Sequence, residues 1–125
     1  MTTLLALYRR PDGGPDAQAT FERRYRDEHL PLVALTPGLR ETRIERVVQA
    51  LGGETELILV ASMRFDDRAA LDEGLGSDAM RRAGRVLREI APGLVTLLVL
   101  DDSPELVAAA SQPVDTVRSA VEDRP

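Results

Sequence analysis

The chain of 125 residues contains no cysteine, no lysine and no tryptophan, and it has a single histidine. The missing lysine excludes a pyridoxal Schiff base and the phosphate-binding lysine of a P-loop. Without cysteine and with one histidine, the usual zinc sites, iron–sulfur clusters and two-histidine iron triad are excluded as well. A haem held by one histidine is still allowed. We therefore predict no metal site and no cofactor.

Composition also argues against two classes of partner. The net charge is −5 and only four residues are aromatic, so the basic surface and stacking platform of a nucleic-acid binder are missing. The longest apolar run, Leu94–Leu100, is far shorter than the roughly 20 residues that cross a bilayer. The first residues do not follow the charge order of a secretory signal. We therefore expect neither nucleic acid nor membrane as a partner, and a cytoplasmic location, with which the absence of cysteine agrees.

Hydrophobic periodicity predicts the order strand, helix, strand, strand, helix, strand, followed by a tail. The first helix is expected to be capped by Asp16 and to run to about His29, with Pro31 and then Pro37 and Gly38 ending it. The second is expected to begin at an aspartate, to be interrupted by two glycines and to restart at a capping serine. The residues concerned are Asp66 or Asp67, then Gly74 and Gly76, then Ser77. The predicted strands are Thr3–Arg9, Thr42–Ala50, Glu56–Phe65 and Leu94–Leu100.

This βαββαβ order predicts an α+β, ferredoxin-like fold, with two helices on one face of a four-stranded antiparallel sheet. In three of the strands, the residues that face each side of the sheet are apolar, whereas a sheet with one solvated face alternates apolar and polar residues. Two helices cover one face only, so we predict that a second copy of the chain covers the other, giving a homodimer through sheet faces.

The chain is expected to form one domain over residues 1–101. From residue 102 the composition changes, with prolines, a short apolar run and a charged end. Residues 102–125 are therefore predicted to be a C-terminal extension that is partly helical or mobile. Packing of this extension on the partner subunit is an alternative.

The segment Phe21–Pro31 contains the only histidine. On a helix Phe21, Tyr25 and His29 share one stripe, so the side chain that titrates near neutral pH faces a core or a pocket. Together with Leu7–Asp12 before it and Pro37–Arg40 after it, this segment resembles the EthD family of the dimeric α+β barrel superfamily. The resemblance covers about residues 3–101.

The resemblance implies a dimeric α+β barrel with a ligand pocket at one end of the histidine-bearing helix. His29 is then the candidate general acid or base, because an imidazole exchanges protons near neutral pH. Tyr25 is the second catalytic candidate, since its hydroxyl could orient the imidazole or bind a carbonyl. Tyr8, Arg40 and Phe21 are candidate substrate-binding residues. Without such a pocket, His29 would interact with the end of its helix, and Phe21 and Tyr25 would pack in the core. Arg40 would then form an ion pair at the surface.

Three functions are compatible with these residues. One is a cofactor-independent enzyme acting on a small carbonyl, phenolic or ether-derived compound, as the resemblance implies. Another is a ligand-binding or accessory homodimer without chemistry of its own. The third is a haem-binding protein that uses His29. Whether the chain is an enzyme stays open, and a pocket with His29 in its wall is the feature that separates these functions from a purely structural histidine.

Overall fold

The structure, a computed structural model, describes residues 1–111. A four-stranded sheet in the order β2-β3-β1-β4, with every neighbouring pair antiparallel, forms its centre. The strands are β1 Thr2–Arg9, β2 Glu41–Arg46, β3 Leu57–Phe65 and β4 Val95–Asp101. The helices are α1 Gly14–Arg24, a π-helical turn Tyr25–His29, α2 Leu30–Val33, α3 Arg68–Leu75, α4 Asp78–Ile90 and α5 Pro104–Ala110. The predicted ferredoxin-like α+β fold is confirmed.

The first helical segment differs from its prediction at both ends. It begins after Gly13, whose left-handed backbone precedes the helix, and Asp16 lies in the first turn instead of capping it. It continues through Pro31 to Val33, so the prediction that Pro31 ends the helix was wrong. Proline removes an amide donor and crowds the preceding turn of an α-helix. The π-helical turn just before it, where the Leu30 amide donates to the Tyr25 carbonyl five residues back, changes the hydrogen-bond pattern and accommodates the ring.

The second helical segment follows the prediction. The side chain of Asp67 accepts a hydrogen bond from the Ala70 amide at 2.8 Å and caps α3. The Ser77 hydroxyl accepts one from the Met80 amide at 3.2 Å and caps α4. Each cap satisfies a donor that the first turn of a helix leaves free. The two helices are separate because α3 ends just before Gly76.

Strand β2 is shorter than predicted, since it ends at Arg46 and not at Ala50. In the register of the β2–β3 pair, Arg46 stands opposite Leu59, and β3 begins at Leu57. Residues after Val48 would therefore have no partner in the sheet, so the strand cannot reach Ala50.

The inner face of the sheet packs against the helices and forms the core. Along β1 every second side chain is buried, and its partners in β3 are buried with it. This is the period-two burial that a half-covered sheet produces. The inner face of these two strands consists of Thr2, Leu4, Ala6, Tyr8, Leu59, Ala61, Met63 and Phe65.

Over residues 1–111, the outer face of the sheet is only partly buried and carries aliphatic side chains at its centre. Aliphatic side chains from β1, β3 and β4 adjoin one another there, and Leu5 stands directly opposite Leu98. On β2 the same face is charged, with Glu41, Arg43 and Glu45. We call the aliphatic part the outer patch; it consists of Leu5, Leu7, Val60, Leu98 and Leu100.

Within the predicted extension 102–125, the structure describes residues 102–111. They contain α5, whose residues are all exposed. The remainder of the extension, residues 112–125, lies outside the described part of the chain. Among the helices of residues 1–111, none combines the length and apolar character that a membrane span needs.

Candidate ligand-binding site

A cavity of about 630 Å³ lies between α4 and the inner face of the sheet. Its apolar lining comes from the inner positions of three strands and from α2 and α4. This volume falls within the range of small-molecule sites in proteins, which are typically apolar with a few polar groups. The apolar residues of the lining include Leu4, Ala6, Val33, Met63, Leu87 and Leu97.

His29 contributes to the wall of this cavity although only 5% of its surface is exposed. Its Nδ1 lies 2.9 Å from the backbone carbonyl oxygen of Ala83 in α4. A carbonyl can only accept a hydrogen bond, so Nδ1 carries the proton and donates it. In the neutral ring Nε2 then holds the lone pair. The hydrogen bond therefore selects the tautomer in which Nε2 can accept a proton.

Burial lowers the pKa of His29 below its ordinary value of 6.5, and the hydrogen bond to the Ala83 carbonyl opposes this in part. The imidazole is therefore neutral at pH 7. The unfolded chain binds this proton more readily than the folded chain. His29 therefore leaves the free energy of unfolding unchanged above about pH 6.5 and lowers it progressively as the pH falls toward the folded pKa. We expect the NMR titration of this sole histidine to show a lower midpoint in the folded chain than in urea. An equal or higher midpoint would contradict the burial effect.

Two tyrosines belong to the aromatic cluster that ends at the His29 ring. The Tyr25 ring stacks on the His29 ring with centroids 5.0 Å apart and planes 23° from parallel. Tyr8 meets Tyr25 edge to face at 5.0 Å and, unlike Tyr25, lines the cavity. Tyr25 therefore supports the imidazole from behind, whereas Tyr8 presents a side chain to the cavity.

Both phenols are held in the neutral form. Burial raises the pKa of Tyr8 far above its ordinary range, and the neighbouring Tyr25 raises it further. Burial also raises the pKa of Tyr25, against the opposing interaction with the Tyr8 hydroxyl. A neutral phenol can donate a hydrogen bond. The Tyr8 hydroxyl has a single proton and directs it to Tyr25, so a cavity ligand would have to displace this interaction to receive a hydrogen bond from Tyr8.

The other two predicted substrate-binding residues lie away from the cavity lining. Phe21 is buried against Tyr8 and Tyr25, with ring centroids 5.9 and 5.6 Å apart. The Arg40 side chain, 63% exposed, forms a two-pronged ion pair with Asp66 through nitrogen–oxygen distances of 3.0 and 2.8 Å. Phe21 thus belongs to the core, and Arg40 holds the loop before β2 to the end of β3.

Helix α4 supplies cavity residues that the sequence analysis did not single out. Asp78, Arg81, Arg85 and Arg88 all line the cavity. Their spacing of three and four residues places them on one helical face. This spacing was visible in the sequence, but acidic and basic residues along a helix usually indicate a solvated surface. Only the position of α4 relative to the sheet shows that this face borders a cavity.

Within residues 1–111, no group of three histidine, cysteine, aspartate or glutamate side chains is arranged to hold a metal ion. The polar groups of the cavity are instead one imidazole, one phenol, one carboxylate and three guanidiniums. They can exchange a proton and bind oxygen atoms of a ligand.

No protein-family model matches this chain, and no curated protein matches it. Solved structures do. A dimeric ferredoxin-like protein of unknown function from Jannaschia sp. CCS1 is 20% identical, with 82% of this chain and 100% of that chain covered and a TM-score of 0.60. SnoaB, a cofactor-independent oxygenase from Streptomyces nogalater, is 14% identical, with 81% and 91% covered and a TM-score of 0.54. These likenesses define the fold class as ferredoxin-like.

A higher similarity links the chain to one family. The crystal structure of an EthD family protein from Bacillus halodurans C-125 has a TM-score of 0.74. It is 29% identical, and the match covers 82% of this chain and 99% of that chain. The chain thus has the ferredoxin-like fold of an EthD family protein, which confirms the resemblance recognised in the sequence.

Proposed function

We propose that this chain is an EthD-like protein that binds a small organic compound in the cavity and acts on it without a cofactor, with His29 as general acid or base. The observation that carries the proposal is the position of His29 in the cavity wall, with Nδ1 donating to the Ala83 carbonyl. A cytoplasmic location completes the proposal, since a chain without cysteine needs no oxidising compartment to fold.

The proposed chemistry follows from the protonation states. At neutral pH the lowered pKa leaves His29 uncharged, so Nε2 can take a proton from a ligand and later return it. Tyr8 would donate its hydroxyl proton to the oxygen on which negative charge then develops, as in an oxyanion site, in exchange for its interaction with Tyr25. Tyr25 has a positioning role, because it stacks on the imidazole outside the cavity lining.

Carbonyl, phenolic and ether-derived compounds are the substrate classes that we propose. Such compounds offer an oxygen for Tyr8, an acidic hydrogen or a leaving group for His29, and an apolar body for the lining. The names of two similar structures support this choice, since the EthD family protein is named after ethyl tert-butyl ether and another structure is a cofactor-independent oxygenase.

The proposed assembly is a homodimer in which the outer patches of two subunits face each other. Burying roughly 400 Å² of apolar surface would favour association by about 10 kcal/mol before the entropic cost of joining two chains. The charged outer face of β2 borders the patch and limits the contact to β1, β3 and β4. Several similar structures are described as dimeric, which supports the same arrangement.

Substitution His29→Gln tests the catalytic role. Glutamine keeps a hydrogen-bonding group near Ala83 but cannot exchange a proton, so we expect turnover to fall by about 10²-fold to 10⁴-fold. Wild type and variant would be incubated in deuterium oxide with a naphthol and a slowly enolising ketone, and turnover measured by mass spectrometry as deuterium incorporation at carbon. Tyr25→Phe is the matched control, since it keeps the stacked ring and should retain most activity.

The same experiment distinguishes an enzyme from a ligand-binding dimer without chemistry of its own. If the wild type converts a compound and His29→Gln converts it equally well with an unchanged melting temperature, His29 has no catalytic role. If no compound is converted although a neutral apolar probe binds in the cavity, the ligand-binding dimer without chemistry replaces the enzyme proposal.

The same histidine supports haem binding as the second candidate function. Histidines that ligate metals usually donate their second ring N–H to a carbonyl or carboxylate, as His29 does to Ala83. Nε2 would then be the ligand to iron. Titration with hemin tests this, because a shifted Soret band that His29→Ala abolishes would favour haem binding, and an unshifted band would remove it.

A further inference from the structure

Three arginines of α4 border the cavity along one helical face. Arg81, Arg85 and Arg88 follow one another at spacings of four and three residues and all belong to the cavity lining. Gly84 lies among them, and a Cβ added there would stand 3.5 Å from Nη1 of Arg88. The Arg88 side chain therefore lies beside Gly84, at an ordinary contact distance from the helix. We call these three residues the arginine row.

The arginine row is not neutralised by the part of the chain that the structure describes. Over residues 1–111, none of its guanidiniums has a carboxylate oxygen within 4.0 Å, whereas Arg24, Arg40 and other surface arginines do have such partners. Asp78 is the one carboxylate of the lining. Positive charge therefore concentrates at this cavity although the whole chain has a net charge of −5.

The interior next to the arginine row is apolar. Strand residues Leu4, Met63 and Leu97 and helix residue Leu87 line it. An apolar wall gains free energy by taking up an apolar body, and guanidiniums at its border bind a planar anionic group through paired N–H donors. The two features together select for a molecule that has both parts.

We infer that the ligand of this cavity is an amphipathic organic anion, with its apolar body against the sheet and a carboxylate or similar anionic group on the arginine row. The inference rests on the proposed ligand-binding function and deepens it by naming the ligand class. Arginine stays charged at every physiological pH, so the anionic group is held independently of the state of His29. Anchoring one end of the ligand on α4 also fixes the distance of its body from His29, which is tied to α4 through Ala83.

The probes anilinonaphthalene sulfonate and N-phenylnaphthylamine provide a matched test, because they share one apolar ring system and only the first carries an anionic group. Both become fluorescent in apolar sites, so binding to the full chain can be titrated directly. We expect the sulfonate to bind more tightly than the neutral amine. Its affinity should fall as salt rises above about 150 mM, because salt screens exposed charges, while the affinity of the amine should stay nearly constant.

Substitutions in the arginine row should change the affinity for the anionic probe and leave the affinity for the neutral probe unchanged. We expect Arg81→Gln, Arg85→Gln and Arg88→Gln each to weaken sulfonate binding by about threefold to tenfold, with additive losses in the triple variant. Asp78→Asn should strengthen it by roughly twofold, since a like charge is removed. Arg82→Gln is the control, because it removes the same charge from the same helix outside the cavity lining.

The outcomes distinguish this inference from the function on which it rests. If the neutral amine binds and the arginine variants leave sulfonate binding unchanged, the anionic ligand class is overturned while the ligand-binding cavity stands. If neither probe binds the wild type, the cavity does not take up apolar ligands and the proposed function fails with it. Equal losses in Arg82→Gln would also overturn the inference, since the effect would then come from overall charge.

Discussion

Replacement of Leu98 by aspartate is expected to convert the proposed homodimer into a monomer. Leu98 stands opposite Leu5 in the outer patch and is 42% exposed in the single subunit. In a symmetric dimer the substitution places two unpaired carboxylates in an apolar contact, and burying an unpaired charge costs several kcal/mol. We expect the dissociation constant to rise by at least about 10³-fold, since each 1.4 kcal/mol is a factor of ten.

Light scattering coupled to size-exclusion chromatography would measure this change. The wild type should show the mass of two chains of 13.7 kDa at micromolar concentration, and the variant the mass of one. Leu35→Asp is the matched control, because Leu35 is an exposed leucine outside the sheet. A wild type that is monomeric under these conditions would refute the dimer directly.

Substitution Phe65→Ala is expected to cost about 3–5 kcal/mol of unfolding free energy, a large share of the stability of a typical domain. Phe65 ends β3, is fully buried and lies directly against α3. A Cβ added at Gly74 would stand only 2.8 Å from its Cε1 atom, which shows how closely ring and helix pack. Truncation therefore leaves a cavity beneath α3 that the backbone cannot readily fill.

Urea denaturation at one fixed protein concentration would measure the loss, because the stability of a dimer depends on concentration. The midpoint should fall while the slope stays constant. Leu35→Ala, at an exposed leucine, should change the unfolding free energy by less than about 0.5 kcal/mol. A loss below about 1 kcal/mol in Phe65→Ala would contradict the close packing of this ring.

Most of the fold could be predicted because local sequence signals and tertiary packing agree. The apolar runs of β1, β3 and β4 and the capping residues Asp67 and Ser77 define their elements with errors of one or two residues. The passage of the first helix through Pro31 could not be predicted. The passage depends on a π-helical turn. Proline predicts the end of a helix, whereas no residue type predicts a π-helical turn with similar strength.

The candidate site was only partly accessible from the sequence. His29 stood out as the single histidine on an apolar stripe, and Tyr8 through the resemblance to the EthD family. The arginine row did not, because its spacing is equally that of a solvated helical face. Likewise nothing near Ala83 indicates that its carbonyl binds an imidazole 54 residues away, since such a contact arises only when α4 packs beside the π-helical turn.

The absence of lysine and cysteine has a kinetic consequence for the cavity. Burial raises the pKa of both tyrosines of the aromatic cluster above the ordinary value of a phenol. His29 is the only side chain of its kind in the chain. As the general base, His29 should therefore give the plot of rate against pH an inflection on its acidic limb. An inflection on the alkaline limb would report the ionisation of the substrate itself.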